Sequence, residues 1–133
     1  MTDTFQGSCL CRAIKYEITS RPKALSHCHC SQCRKSHGAA FASYGSVPRK
    51  DLHLIQGAEY MTAYRSSESG LRQFCSQCGS SLFWSKSKGD HADWVSVALG
   101  TLDTAFTAEK QRHVEVASKA CWYEIRDLWP QSQ

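Results

Sequence analysis

Seven residues, His27-Cys28-His29-Cys30-Ser31-Gln32-Cys33, hold three cysteines and two histidines. Two further thiol pairs stand apart from them, at Cys9-Leu10-Cys11 and at Cys75-Ser76-Gln77-Cys78. Nothing else in the chain limits its folding so sharply, because thiols clustered like this must either cross-link or share an ion. The opening MTDTFQGSCLCR has no apolar signal region, so the expected setting is cytoplasmic, where thiols stay reduced. Clustered cysteines there favour metal over disulfides. Eight cysteines in 133 residues, about 6%, also fall below the roughly 8–10% of a disulfide scaffold.

Each cluster makes a different demand. In Cys75-x-x-Cys78 a turn lets two thiolates converge, and Gly79 tolerates the backbone that aims amide N–H groups at sulfur. Two sulfurs are half of a tetrahedral zinc site. A redox C-x-x-C pair would prefer a helix start in a βαβ unit, whereas the flanks Leu71–Phe74 and Leu82–Trp84 read as strands. In Cys9-x-Cys11 an extended backbone would hold the thiols ~6–7 Å apart. Zinc-bound sulfurs, with bonds of ~2.3 Å, sit about 4 Å apart. The segment must bend, and Gly7-Ser8 is the expected place. Two plus two completes a closed Cys₄ set. Cys28, Cys30 and Cys33 then leave one coordination position free, and three-ligand sites of that kind can do chemistry. A second partition, in which Cys9 and Cys11 join two of the middle trio, satisfies the spacing equally.

The neighbouring polar residues divide in the same way. His27 and His29 flank Cys28 and face away from it in extended backbone, so hydrogen bonding or solvent exposure is expected of them. His37, four residues after Cys33, is a candidate fourth ligand or a support for the site. His53, His91 and His113 read as surface or strand histidines, and Cys121, beside Trp122, as a buried structural thiol. Arg34 follows Cys33 directly and is the candidate to receive a substrate carboxylate and offset thiolate charge. Lys35 reads as solvated.

Strand patterns dominate the rest. Ile14, Tyr16 and Ile18 alternate with Lys15 and Glu17, and Leu52 and Leu54 flank His53; Tyr60, Thr62 and Tyr64 share one face with Met61 and Ala63 on the other, and Val95, Val97 and Leu99 alternate with Ser96 and Ala98. Val114 and Val116 give a further short strand. Gln56-Gly57, Pro22, Pro48 and Gly89-Asp90 mark breaks. Only Trp122, Ile125 and Trp129 show helical spacing, stopped by Pro130. The expectation is one all-β domain spanning 1–133, built from packed antiparallel sheets with a few helical turns. A formal net charge of +4, scattered along the chain, does not suggest a nucleic-acid partner. No apolar run approaches the ~18 residues of a membrane span. Phosphate-cradling and nucleophile-elbow glycine motifs are absent, so metal and thiolate are the expected agents of any chemistry.

Taken together, these residues resemble the glutathione-dependent formaldehyde-activating enzyme family. The resemblance is carried by G-S-C-x-C-R-A-I-K-Y-E from Gly7, by Cys28 to Phe41, by Phe74-Cys-x-x-Cys-Gly-Ser-x-Leu-Phe-Trp84, by Gly100-Thr-Leu-Asp103 and by the tail from His113 to Pro130. It implies a zinc-dependent fold with two Zn²⁺ per chain. Cys9, Cys11, Cys75 and Cys78 would hold a structural ion, and Cys28, Cys30 and Cys33 a second, catalytic one. It also implies a carbon–sulfur lyase acting on a thiol–aldehyde adduct, with glutathione as thiol and formaldehyde as aldehyde. The competing expectation is a zinc-stabilised module that binds protein or nucleic acid, with the second ion structural too. A metal-buffering or redox role for the middle trio is a third. Exposed strand edges make a homodimer a further expectation.

Overall fold

The computed structural model describes residues 4–133. Among them, ten strands and one helix run in the order β1 (Phe5–Ser8), β2 (Lys15–Ile18), β3 (Lys23–Cys28), α1 (Ser31–His37), β4 (Ala42–Pro48), β5 (Leu52–Gln56), β6 (Met61–Arg65), β7 (Gly70–Cys75), β8 (Ser81–Lys86), β9 (Trp94–Ala98) and β10 (Arg112–Val114). They form a three-stranded sheet, β1-β2-β5, and a seven-stranded sheet, β10-β3-β4-β9-β8-β7-β6. All pairings are antiparallel except that of β10 on β3.

The period-2 alternation that marks the strands also decides how the sheets stack. Tyr16 and Ile18 of β2, with Phe5 of β1, pack on Val47, Phe83, Val95 and Val97 of the large sheet. Tyr16 is 1% exposed, stands edge-on to Phe83 with ring centroids 5.1 Å apart, and hydrogen-bonds Thr101 Oγ1 through its hydroxyl at 2.6 Å. On the same strands Tyr44, Trp84 and Ala98 point to the other face. There they meet Ala42 and the three cysteines Cys28, Cys30 and Cys33. Helix α1 carries Cys33 on its one buried position, so this second, smaller core sits under the helix.

Two sequence expectations change. The Trp122–Trp129 stretch is not helical; the tail bridges to β10 instead, with His113 N–H on the Pro130 carbonyl at 2.9 Å and Ser132 N–H on the His113 carbonyl at 3.0 Å. Those backbone bonds outweigh the weak helical spacing of three large side chains. The strand through Val114 stops there because Glu115 takes a left-handed conformation, φ 57°, and Val116 opens a 3-10 turn. Gly57, at φ 87°, turns the chain from β5 toward β6 as expected; a side chain there would strike the Ala13 backbone.

Candidate metal centres and the adjoining cleft

The hairpin turns of the two sheets meet at one point. Cys9 and Cys11 sit in the turn between β1 and β2, Cys75 ends β7, and Cys78 lies in the turn between β7 and β8. Their four sulfurs all lie within 4.8 Å of one another, with Cys9 to Cys11 at 3.6 Å and Cys11 to Cys75 at 3.8 Å. That is the sulfur spacing of a tetrahedral zinc site, and far longer than a disulfide.

The two turns are built alike. Cys9 N–H reaches the Ile14 carbonyl at 3.1 Å, and Cys75 N–H reaches the Ser80 carbonyl at 3.0 Å. Each first cysteine accepts a backbone N–H on sulfur, from Ile14 or from Gln77, both at 3.3 Å. Each second cysteine is followed by a left-handed residue, Arg12 at φ 66° and Gly79 at φ 81°. The bend expected at Gly7-Ser8 therefore falls at Arg12. Gly7 is instead a strand residue on which the Tyr16 ring lies directly. N–H groups aimed at sulfur favour thiolate, and the Ser80 hydroxyl, 3.2 Å from Cys78 Sγ, holds the Cys78 thiol well below its usual range. This donor set fits a closed zinc site.

The second set lies on the opposite face of the large sheet. Cys28 ends β3, Cys30 caps α1 and Cys33 follows in the first turn; their sulfurs lie within 4.8 Å of one another. Cys30 Sγ accepts the Cys33 N–H at 3.3 Å. The Cys28 thiol serves Cys33 as a hydrogen bond, which lowers Cys33 and, with burial, raises Cys28. The Arg72 guanidinium also favours Cys33 thiolate, with Nη2 at 3.8 Å from the sulfur. The three thiols fit an ion with a position left over.

No histidine completes this set. His37 Nε2 is 2.9 Å from the Tyr44 hydroxyl, and Arg72 Nη1 donates to the same hydroxyl at 3.3 Å. Tyr44 Oη shares one hydrogen bond with the His37 ring and accepts another from Arg72. Cys33, Arg72, Tyr44 and His37 thus form one chain, and His37 is a support rather than a sulfur neighbour. Burial and then the Arg72 charge hold His37 below the usual imidazole range; burial and then Cys33 raise Tyr44.

His27 and His29 are taken up elsewhere. His27 Nδ1 meets Ser43 Oγ at 2.8 Å and Nε2 meets Gln111 Oε1 at 2.7 Å. His29 Nε2 meets His113 Nδ1 at 2.8 Å, and His113 Nε2 meets Asp127 Oδ2 at 3.0 Å. His113 is a strand residue but buried, not at the surface, and Cys121 is exposed rather than buried. Cys121 and its neighbour Trp122 both lie exposed on the irregular tail, so the apolar neighbour carried no information about burial. His53 and His91 are exposed. Arg34 is half-buried beside the imidazoles, its charge among those that lower His29 after burial and His113, and its Nε has no hydrogen-bond partner.

A cleft of about 660 Å³ opens between α1 and the β6–β7 end of the large sheet, lined by Gln32, Lys35, Ser36, Tyr64, Arg72 and Phe74. A second hollow of about 450 Å³ shares Ser36, Gly79 and Ser81 with it and is lined further by His37, Ser43 and Thr101. Lys35, expected to be merely solvated, faces the cleft, whereas Arg34 does not line it. Arg72 escaped the sequence reading altogether. Its only signal was a cation on the same strand face as Phe74, in a run otherwise suited to burial.

Two sheets joined at a paired-hairpin cluster of four cysteines, with a second cluster of three thiols near a cleft, define a β fold whose two cysteine sets could each hold a metal ion. Residues 4–121 match the profile described as glutathione-dependent formaldehyde-activating enzyme, and the chain belongs to that family. It is 28% identical over 127 residues, 90% of this chain and 80% of the other, to a Halomonas elongata protein provisionally named a glutathione-dependent formaldehyde-activating enzyme. It is 27% identical over 95 residues, 71% of this chain and 67% of the other, to a Schizosaccharomyces pombe protein named an uncharacterized lyase. In fold it is similar to the crystal structure of a Rhodobacter sphaeroides protein, with a TM-score of 0.60 at 22% identity, covering 76% of this chain and 90% of that one. No helix among the described residues is long and apolar enough to cross a membrane.

Proposed function

We propose that this chain is a zinc-dependent carbon–sulfur lyase acting on the adduct of a thiol and an aldehyde, with glutathione and formaldehyde as the leading pair. The observation that carries the reading is the trio Cys28, Cys30 and Cys33, three thiols gathered on one face of the sheet with Arg72 bridging Cys33 to a cleft of substrate size. The names of the relatives support it.

Cys9, Cys11, Cys75 and Cys78 would hold a structural Zn²⁺, and Cys28, Cys30 and Cys33 a second. Zinc bound there would supply charge that favours thiolate over thiol and polarises a carbonyl. In the synthetic direction the substrate sulfur bonds to the aldehyde carbon, the carbonyl π pair moves to oxygen, and the thiol proton ends on that oxygen. The lyase direction reverses each step. Arg72 offsets the charge of the three thiolates, which exceeds that of one divalent ion. Tyr44, itself bonded to His37, holds Arg72 in place. Arg34 belongs to the same neighbourhood through the imidazoles rather than through the cleft.

Exchange NMR on formaldehyde and glutathione, with zinc-loaded protein and with its Cys30→Ser variant, tests the reading. Faster exchange that disappears in the variant is expected. No acceleration with two zincs measured per chain would reject it.

A further inference from the structure

We propose that Lys35 and Arg72 select the thiol substrate through a carboxylate, so that the enzyme takes elongated, carboxylate-bearing thiols and not neutral ones. The inference rests on the lyase reading for the reaction but stands on its own observations for recognition.

The cleft's charge is one-sided. Lys35 and Arg72 line it, and no carboxylate does. Neither cation takes part in any of the three ion pairs among the described residues, Lys88 with Glu68, His113 with Asp127 and Arg126 with Glu124. Arg72 is also incompletely used. Nη1 donates to Tyr44 and Nη2 to Cys33, but Nε is buried and has no hydrogen-bond partner. A buried guanidinium N–H without an acceptor is costly. A carboxylate entering the cleft would lie between the Arg72 guanidinium that lines it and the Lys35 ammonium. Arg72 would then hold one end of the substrate while contacting the sulfur of Cys33, which sets the distance between carboxylate and reacting thiol.

Size points the same way. The cleft alone exceeds what a two- or three-carbon thiol fills, and the hollow that continues from it past Ser36 and Ser81 is lined with hydroxyls and small residues. Serine and threonine hydroxyls in a row suit the amide groups of a peptide-like chain, and they discriminate little against its side groups. The exposed Tyr64 ring and Phe74 give the apolar flank on which the substrate stem lies.

A binding cycle tests this without turnover. The probes are S-methylglutathione, which has no free thiol, and its dimethyl ester, titrated calorimetrically into zinc-loaded full-length protein and into Lys35→Gln. The acid should bind at least about tenfold tighter than the ester to the native protein. Lys35→Gln should weaken the acid about five- to tenfold and leave the ester unchanged. Arg72→Lys, which keeps the charge but loses the fork, should weaken the acid by a similar factor while zinc content stays at two per chain. Equal affinity for acid and ester, or a Lys35→Gln loss that is the same for both, overturns the proposal. Failure of the lyase reading shows separately, as unaccelerated formaldehyde exchange in protein that still prefers the acid.

Discussion

At the scale of single residues, Tyr44 is the hinge of the candidate site. Its hydroxyl accepts from Arg72 and shares a hydrogen bond with His37 Nε2, so one buried oxygen ties a guanidinium beside Cys33 to the imidazole. The consequence for His37 can be measured. Burial and the Arg72 charge depress its folded-state pKa below the unfolded value of about 6.5. Between the two values the unfolded chain binds more protons, so stability rises with pH. The contribution is fully present above about pH 6.5 and is lost as pH falls through the folded pKa. Urea midpoints from pH 7.5 to 5.5 should therefore fall more steeply in the native protein than in His37→Gln. The extra slope cannot exceed about 1.4 kcal/mol per pH unit, the limit for one proton. Parallel curves would refute the burial of His37. The sequence marked His37 correctly as a neighbour of the trio, because four residues bring it one helical turn on from Cys33. It could not show Arg72, 39 residues away, because only strand register places Arg72 opposite Tyr64 and Trp84 and over the same face.

At the scale of elements, the two cysteine hairpins are the same device written with different spacings. C-x-C and C-x-x-C both close through a bond from the first cysteine's N–H to a carbonyl five residues on, and both leave through a left-handed residue. The second is a glycine, Gly79, with nothing within 4 Å of where a Cβ would lie. Substitution there meets no steric wall, only the conformational penalty of φ 81°, so Gly79→Ala should cost about 1–2 kcal/mol. Denaturant titration of zinc-loaded protein reads it directly; an unchanged midpoint would mean that the turn relaxes to another shape. Strands with one apolar face, such as β2 and β9, were legible from alternation. β3 and β4 were not. Both lie inside the seven-stranded sheet; β4 lies between the two cores and reads ASYGSVP, small and polar residues without a period. β3 is further interrupted by a register shift and by Ala24 at φ 51°. In β4, coverage on both faces removes the alternation that marks a half-buried strand.

At the scale of the molecule, the large sheet separates two cysteine sets that do different mechanical work. Cys9 and Cys11 belong to the three-stranded sheet, Cys75 and Cys78 to the seven-stranded one, and Cys11 is 64 residues from Cys75. An ion held by all four cross-links the sheets at the edge of the main core, in which Cys9 and Cys75 are themselves buried. An ion held by Cys28, Cys30 and Cys33 closes only a six-residue segment already ordered by β3 and α1. Loss of the first should therefore release both sheets, and loss of the second should leave them in place. If the four cysteines hold an ion as proposed, Cys75→Ser removes one of its ligands and buries an unpaired hydroxyl, for which a loss above about 4 kcal/mol is expected. That is a large share of the roughly 5–15 kcal/mol that holds a domain together. Cys30→Ser keeps the α1 cap, because serine is a preferred cap residue and can accept the Cys33 N–H as the sulfur does. Its thermal midpoint should stay within a few degrees of the native value while one zinc per chain is lost. Thermal unfolding followed by circular dichroism, with zinc counted on the same samples, decides between the two roles. If both variants unfold alike, the trio is also a fold clamp and the cleft beside it has lost its claim to be the reacting end.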